Sequence, residues 1–163
     1  MAVSSTTDSA PDRRWTGPSN SSGASASPEA SAAASVQAGT IILVEDTPMV
    51  RCFLAELLRD EGYEVVEARD GGEAIELLDD GAASEGVCLM VLDMNLPQID
   101  GIGVLRHLAE RGRAIPVIAM SADIISLGRA RRHGVREALA KPFDVDRFLE
   151  TVKRNCGAAA LDP

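Results

Sequence analysis

Five polar residues follow apolar segments of this 163-residue chain, and their chemical types could act together in one reaction. They comprise three acids, a hydroxyl and an amine: Glu45, Asp46, Asp93, Ser121 and Lys141. Three carboxylates close together repel one another unless a cation neutralises them, and Mg²⁺ prefers such oxygen ligands. A carboxylate can attack phosphorus, while a metal ion and an ammonium group offset charge on the transferred oxygens. We therefore expect Mg²⁺-assisted phosphoryl transfer if folding brings these residues together.

The segments that carry these residues alternate between two patterns. Short apolar runs typical of buried strands lie at 40–44, 63–68, 87–92, 115–120 and 135–140. Amphipathic helical patterns separate them; the first begins with Thr47 as its cap and Pro48 in its first turn. This alternation predicts an α/β fold with a parallel sheet and helices on both faces. Because ligands bind at the carboxyl ends of parallel strands, the sheet should bring the five polar side chains into one crevice.

Composition divides the chain into three parts. Residues 1–39 consist mostly of Ser, Ala, Thr, Gly and Pro, so they cannot bury enough apolar area to offset the entropy of ordering them. We predict a disordered leader over 1–39, a folded domain over 40–156 and a short tail over 157–163. So short a tail leaves no room for an output domain, and we expect the domain to act alone.

The charge of the chain restricts its partners. A net charge of −9 argues against direct binding to nucleic acid or to a membrane surface, which normally requires a basic face. Residues 40–100 hold fifteen acids and three bases, whereas residues 101–163 hold seven acids and eleven bases. Arg129, Arg131 and Arg132 make the fourth predicted helix basic. That cluster is either a solvated face or a docking surface for an acidic partner or for the acidic half of another copy.

The three cysteines are widely separated, and none has a histidine nearby at metal-ligand spacing. An odd number fits a reducing compartment better than a disulfide framework. We expect Cys52 and Cys88 to fill core volume. No run of about 18 apolar residues is present, so we expect no membrane span and a cytoplasmic protein.

Four segments, in order and at the ends of predicted strands, resemble the receiver domain of response regulators. They are Ile42–Pro48 (ILVEDTP), Leu92–Gly101 (LDMNLPQIDG), Met120–Ala122 (MSA) and Ala140–Phe143 (AKPF). The resemblance covers about residues 40–156. It implies a doubly wound, five-stranded parallel sheet of flavodoxin-like order 2-1-3-4-5 with five flanking helices.

The resemblance also implies a role for each site residue. Asp93 would be the phosphoacceptor, Ser121 would move toward the phosphoryl group, and Lys141 would pair with it. Four groups would hold Mg²⁺: the carboxylates of Glu45, Asp46 and Asp93 and the backbone carbonyl of Asn95. No other cofactor is implied.

Three further positions carry expectations from the same family. Asn95 and Asp123 match positions that tune how fast such domains lose their phosphate, and the peptide before Pro142 is usually cis. Relatives usually place an aromatic residue, whose rotamer reports phosphorylation, where this chain has Ala138. An aromatic flip therefore cannot transmit the signal here.

The implied phosphoryl donor is a histidine kinase or a histidine phosphotransfer protein, and the output is contact with a downstream protein. A second copy, meeting through the face from the fourth helix to the last, is another partner to consider. Two alternatives stay open. One is a pseudo-receiver that binds partners without phosphorylation. The other is a phosphatase of the haloacid-dehalogenase type, which Asn95 disfavours because those enzymes place a second Asp there. We expect no metabolic enzyme activity.

Overall fold

The computed structural model describes residues 39–81 and 85–159. The predicted leader up to residue 38 and tail residues 160–163 lie outside the described residues. The strands are Thr40–Val44 (β1), Glu64–Ala68 (β2), Val87–Asp93 (β3), Val117–Ser121 (β4) and Glu137–Ala140 (β5). The helices are Pro48–Asp60 (α1), Gly71–Asp79 (α2), Gly101–Glu110 (α3), Ile124–Arg132 (α4) and Val145–Ala159 (α5). None of these described helices is both long and apolar enough to cross a membrane.

The strands form one parallel sheet in the order β2-β1-β3-β4-β5, which confirms the predicted flavodoxin-like architecture. Its register aligns the strand ends. Val44 of β1 pairs with Leu92 of β3, and Ser121 of β4 pairs with Ala140 of β5. The residues that directly follow or end these strands therefore lie along a single edge of the sheet.

Two aliphatic cores cover the two faces of the sheet. Because successive side chains of a strand point to opposite faces, Ile42 and Met90 pack beneath α2, α3 and α4, whereas Ile41 and Leu89 pack beneath α1 and α5. All four side chains are fully buried. The continuous apolar runs seen in the sequence thus reflect strands that are covered on both sides.

Some element boundaries differ from the sequence-based expectation. β4 begins at Val117 rather than residue 115, because Pro116 has no N–H to donate to a neighbouring strand. Thr47 occupies the N-cap position of α1, but its side chain makes no capping hydrogen bond. α5 extends through Gly157 to Ala159, so the helix overlaps the predicted tail.

Cys88 packs against the core beneath α1 and α5, as expected, but the expectations of free thiols and of a buried Cys52 were wrong. Cys88 at the start of β3 and Cys156 in α5 form a disulfide; their Cα atoms are 5.0 Å apart and the two residues are separated by 68 in sequence. Cys52 is exposed on α1, since the buried face of that helix consists of Leu54, Ala55 and Leu58. Sequence spacing alone does not reveal that a strand start and a helix end meet in space.

Reduction of this disulfide is expected to lower the free energy of unfolding by about 2–4 kcal/mol, because a cross-link over so long a loop restricts the unfolded chain. Urea unfolding followed by circular dichroism, with and without reductant, measures the difference in a Cys52→Ser background. Cys156→Ser should unfold at the same urea concentration under both conditions. Equal stability of oxidised and reduced wild-type protein would contradict the prediction.

Candidate functional site

Three carboxylates meet at the carboxyl edge of the two central strands. Glu45 and Asp46 follow β1, Asp93 ends β3, and these strands are neighbours in the sheet. One carboxylate oxygen from each residue lies within 4.8 Å of the others. Glu45 is 1% exposed and Asp93 is 5% exposed, whereas Asp46 is exposed to solvent. The pocket therefore has two acids at its base and one at its mouth.

Lys141 brings a positive charge into this pocket from the edge strand. It follows β5, and its Nζ atom donates to Glu45 Oε2 and to Asp93 Oδ2, both at 2.6 Å. The backbone N–H of Lys141 donates to the carbonyl of Ser121 at 2.8 Å, which ties the end of β5 to the end of β4. The peptide before Pro142 is cis, as expected. The long lysine side chain thus spans β4 to reach residues on β3 and after β1.

Burial and ion pairing together set the protonation of the pocket. Burial raises the pKa of Glu45, aided by the like charge of Asp93 and opposed by the hydrogen bond from Lys141. Burial acts to lower the pKa of Lys141, but its hydrogen bonds to Asp93 and Glu45 outweigh that effect and the pKa is raised. Lys141 is therefore held as an ammonium ion. Three acids against one ammonium leave room for a hard divalent cation, and their oxygen-only donor set fits Mg²⁺.

Ser121 ends β4, beside β3, and is fully buried. Its Oγ atom accepts a hydrogen bond from the N–H of Asp123 at 2.9 Å. Asp123, not Ser121, caps α4, because its carboxylate accepts from the N–H groups of Ile125 and Ser126. The hydrogen bond from the Ser126 hydroxyl is the main reason that the pKa of Asp123 is lowered, and the Ile125 N–H adds to it. The Ser121 hydroxyl is therefore not the cap of α4.

The loop after β3 holds the carboxylate of Asp93 in place. The backbone N–H of Asn95 donates to Asp93 Oδ1 at 2.8 Å, so the second oxygen faces Lys141. The loop ends where Asp100 caps α3 by accepting from the Gly103 N–H at 2.9 Å. Gly101 donates its N–H to the carbonyl of Met94 at 3.1 Å. Asp100 and Gly101 therefore close the loop as a turn and helix start, and the Asn95 side chain is exposed.

Gly101→Ala is expected to destabilise the protein by about 1–3 kcal/mol, because an added Cβ would lie 2.8 Å from the Cα of Met94. Gly128→Ala in α4 is the control, since a Cβ added there would meet no atom within 4 Å. That change is expected to stabilise by about 0.5–1 kcal/mol. Urea unfolding followed by circular dichroism measures both, and the same sign for both would contradict the packing argument.

Arg51 is a site residue that the sequence did not reveal. Its Nη1 atom donates to the backbone carbonyl of Glu45 at 2.8 Å, and its Nε atom lies 3.5 Å from a carboxylate oxygen of Glu67. The backbone N–H of Thr47 also lies 3.4 Å from Glu45 Oε1. Arg51 therefore holds in place the turn after β1 that carries Glu45. The only sequence signal was that Arg51 is the one basic residue in the first turns of α1.

The position that is aromatic in relatives lies on β5, and the arginine cluster lies on α4. Ala138 is half-buried on β5 and packs against the core beneath α2, α3 and α4. Arg129, Arg131 and Arg132 are exposed on α4. None of these four residues touches the carboxylates through a described hydrogen bond or ion pair.

Comparison with known proteins places this geometry in a family. The family model of the response regulator receiver domain matches residues 41–153. The transcriptional regulatory protein PdtaR of Mycobacterium tuberculosis is 35% identical over 118 residues, which are 69% of this chain and 54% of PdtaR. The chain thus spans about half the length of that relative. The polar-differentiation response regulator DivK of Brucella ovis is 33% identical over 124 residues, 74% of this chain and 98% of DivK.

A solved structure shares both the fold and part of the sequence. The response regulator TrrA of Thermotoga maritima, in complex with Mg²⁺-BeF, aligns with a TM-score of 0.63 and 28% identity. The alignment covers 71% of this chain and 97% of TrrA. The family match includes every strand of the sheet but for the first residue of β1, and all the acids of the pocket. The chain therefore belongs to the response regulator receiver domain family of two-component signalling.

Proposed function

We propose that Asp93 accepts a phosphoryl group from a phosphohistidine of a histidine kinase or histidine phosphotransfer protein. The phosphorylated domain then signals through contacts with a downstream protein. The observation that carries this proposal is the pair of 2.6 Å contacts from Lys141 to Glu45 and Asp93, within a cluster of three acids. A buried cluster that combines excess acids with one ammonium suits an incoming phosphoryl group and a metal ion.

The carboxylate of Asp93 is oriented for attack on phosphorus. Its Oδ1 atom accepts from the Asn95 N–H and its Oδ2 atom accepts from Lys141. One carboxylate oxygen forms the bond to phosphorus as the P–N bond of the donor breaks, and the electron pair of that bond stays on the departing imidazole. Lys141 offsets charge on the phosphoryl oxygens, and the Ser121 hydroxyl donates a hydrogen bond to one of them.

The residues that would hold Mg²⁺ are Glu45, Asp46, Asp93 and, through its backbone carbonyl, Asn95. When bound, Mg²⁺ supplies positive charge that stabilises the phosphoryl oxygens during transfer. The complex of TrrA with Mg²⁺-BeF supports this assignment at 28% identity. Asn95 and Asp123 are proposed to tune the rate at which the acyl phosphate is lost.

A second candidate is a pseudo-receiver that binds partners without phosphorylation, and Ala138 favours it because a methyl group cannot report a rotamer change. A phosphatase acting on external esters is disfavoured, since the amide of Asn95 cannot act as a general acid. We place the domain in the cytoplasm, beside its proposed donor. Alkylation of thiols in freshly lysed cells would measure how much of the Cys88–Cys156 disulfide forms in that reducing compartment.

Acetyl phosphate and Mg²⁺ test the proposed function directly. Wild-type protein is expected to gain the mass of one phosphoryl group, and neutral hydroxylamine should remove it, because an acyl phosphate reacts with that nucleophile. Omission of Mg²⁺ should prevent the gain. An unchanged mass with both acetyl phosphate and a phosphorylated histidine donor would favour the pseudo-receiver.

A further inference from the structure

A cavity of about 710 Å³ opens at the amino edge of the sheet, which is the edge opposite the carboxylates. It lies between the C-terminal halves of α3 and α5, where β4 and β5 begin. Residues 113–116 before β4 and residues 133–136 before β5 line it. Its volume falls within the range of about 300–1,000 Å³ that is typical of small-molecule sites. We therefore consider its lining as a ligand site.

The floor of this cavity is aliphatic. It consists of Leu105 and Leu108 of α3, Ile115 and Val117 at the start of β4, and Val135 before β5. The two leucines and Val135 belong to the core, whereas Ile115 and Val117 are only half-buried, so part of their apolar surface stays open. Covering that surface with apolar groups of a ligand would release water and gain free energy. The floor therefore suits an apolar chain.

The polar groups around the floor are mainly hydrogen-bond donors. Arg113 and Arg136 contribute guanidinium groups, and His133 contributes an imidazole. The side-chain nitrogen of Asn155 donates one N–H to the carbonyl of Thr151 at 2.7 Å and keeps a second N–H. Among the described residues that line the cavity none is acidic, although the whole chain carries a net charge of −9. The lining is thus locally cationic.

Arg136 has positive charge available for a ligand. Its side chain is exposed and, within residues 39–81 and 85–159, forms no ion pair. The neighbouring acid Glu137 pairs instead with Arg154 at 2.8 Å. A guanidinium group presents its N–H donors in a fixed plane that matches the oxygens of a carboxylate or a phosphate. Arg136 therefore suits an anionic head group.

We propose that this cavity binds a small amphiphilic anion, an organic molecule with an aliphatic chain and one carboxylate or phosphate group. The chain covers Ile115 and Val117, and the anionic group accepts hydrogen bonds from Arg136 and its neighbouring donors. The inference goes beyond phosphoryl acceptance and does not depend on it, because the cavity and the acids lie at opposite edges of the sheet. Charge complementarity selects the ligand, since a neutral or cationic molecule would leave the guanidinium groups without counter-charge.

Four probes that share one octyl chain test the proposal: octanoate, octyl phosphate, octanol and octyltrimethylammonium. Each is titrated into the isotope-labelled full chain in metal-free buffer, and proton–nitrogen correlation spectra measure both the affinity and the place of binding. We expect both anions to shift amide signals within 113–117 and 133–136. Both should bind at least about tenfold more tightly than octanol, and octyltrimethylammonium should bind most weakly. The tighter of the two anions identifies the preferred head group.

Variants separate the charge of the cavity from its apolar floor. Arg136→Gln should weaken octanoate binding by about tenfold and leave octanol binding unchanged, because only the anion uses the guanidinium. Arg147→Gln is the matched control, since Arg147 is also exposed on α5 but does not line the cavity. Ala109→Phe places a phenyl ring in the wall of the cavity, so it should weaken octanoate and octanol alike. The same spectra show that each variant is folded.

Three results would overturn the proposal. Neither anion binds, or octanol binds as tightly as the anions; or the shifted signals lie away from the cavity; or Arg136→Gln binds both anions like wild type. Asp93→Asn should bind octanoate like wild type, because the acids lie at the other edge of the sheet. A failure of these probes would leave the proposed phosphoryl acceptance untouched, and a failure of acetyl phosphate labelling would leave the anion site untouched.

Discussion

Asp93→Asn is expected to gain no phosphoryl group from acetyl phosphate, while the fold and the loop after β3 stay intact. The amide has no anionic oxygen to form the acyl phosphate, yet its carbonyl can still accept the hydrogen bond that Asp93 Oδ1 receives from Asn95. Intact mass measures labelling, and circular dichroism measures folding. Among the described acids, only Glu45 and Asp93 pair with Lys141. Since Asp93 is the proposed acceptor of the two, we expect the loss of labelling to be complete.

Asp100→Asn is the matched control for this experiment. It makes the same chemical change at the cap of α3, where asparagine also serves as an N-cap, so labelling should equal that of wild type. A hydroxylamine-sensitive phosphoryl group on Asp93→Asn would show that another carboxylate is the acceptor. Peptide mapping would then identify it, and the proposed role of Asp93 would have to be abandoned.

Lys141→Met is expected to slow labelling by roughly 10²–10³-fold, the usual cost of removing one preorganised group that stabilises transition-state charge. The same change should lower the free energy of unfolding in metal-free buffer by about 3 kcal/mol, because two buried carboxylates lose their shared counter-charge. Mg²⁺ should restore part of that stability, since it binds the folded state only. A quenched time course of acetyl phosphate labelling measures the first effect, and urea unfolding measures the second.

Lys153→Met separates the effect of the pocket from the general effect of removing a lysine. Lys153 pairs with Glu61 on the surface at 2.6 Å, with more than half of its side chain exposed, so its loss should hardly change the free energy of unfolding. Lys141→Arg should keep most of the stability by retaining the charge. If Lys141→Met is as stable as Lys153→Met without metal, repulsion between Glu45 and Asp93 does not govern the pocket.

Much of the fold could be predicted because buried parallel strands leave a clear record in the sequence. The runs at 40–44 and 87–92 lie within one residue of β1 and β3, since both strands are covered on both faces and must be apolar throughout. The convergence of Glu45 and Asp93 followed from the adjacency of β1 and β3, and Lys141 joins them because its long side chain spans β4. When parallel strands are adjacent, residues at their carboxyl ends lie at the same edge of the sheet.

Features that depend on packing in three dimensions could not be predicted. The Cys88–Cys156 bond joins a strand start to a helix end, and no local pattern encodes that meeting. Cys52 was expected in the core but is exposed, because a shift of one residue along α1 is enough to move a side chain from the buried face to the exposed face. The contact of Arg51 with the Glu45 carbonyl depends on a side-chain conformation, which periodicity does not specify.

The contact of Lys141 with acids much earlier in the chain has a consequence for synthesis: the pocket is completed only after the last strand has been made. A nascent chain that has left the ribosome only as far as β4 already carries its two buried acids, but the amine that balances them is still to be synthesised. The pair joins residues 96 positions apart in sequence, and contacts of high sequence separation slow folding. Under the proposed function, a product truncated before β5 lacks Lys141 and is expected to accept a phosphoryl group far more slowly than the complete domain.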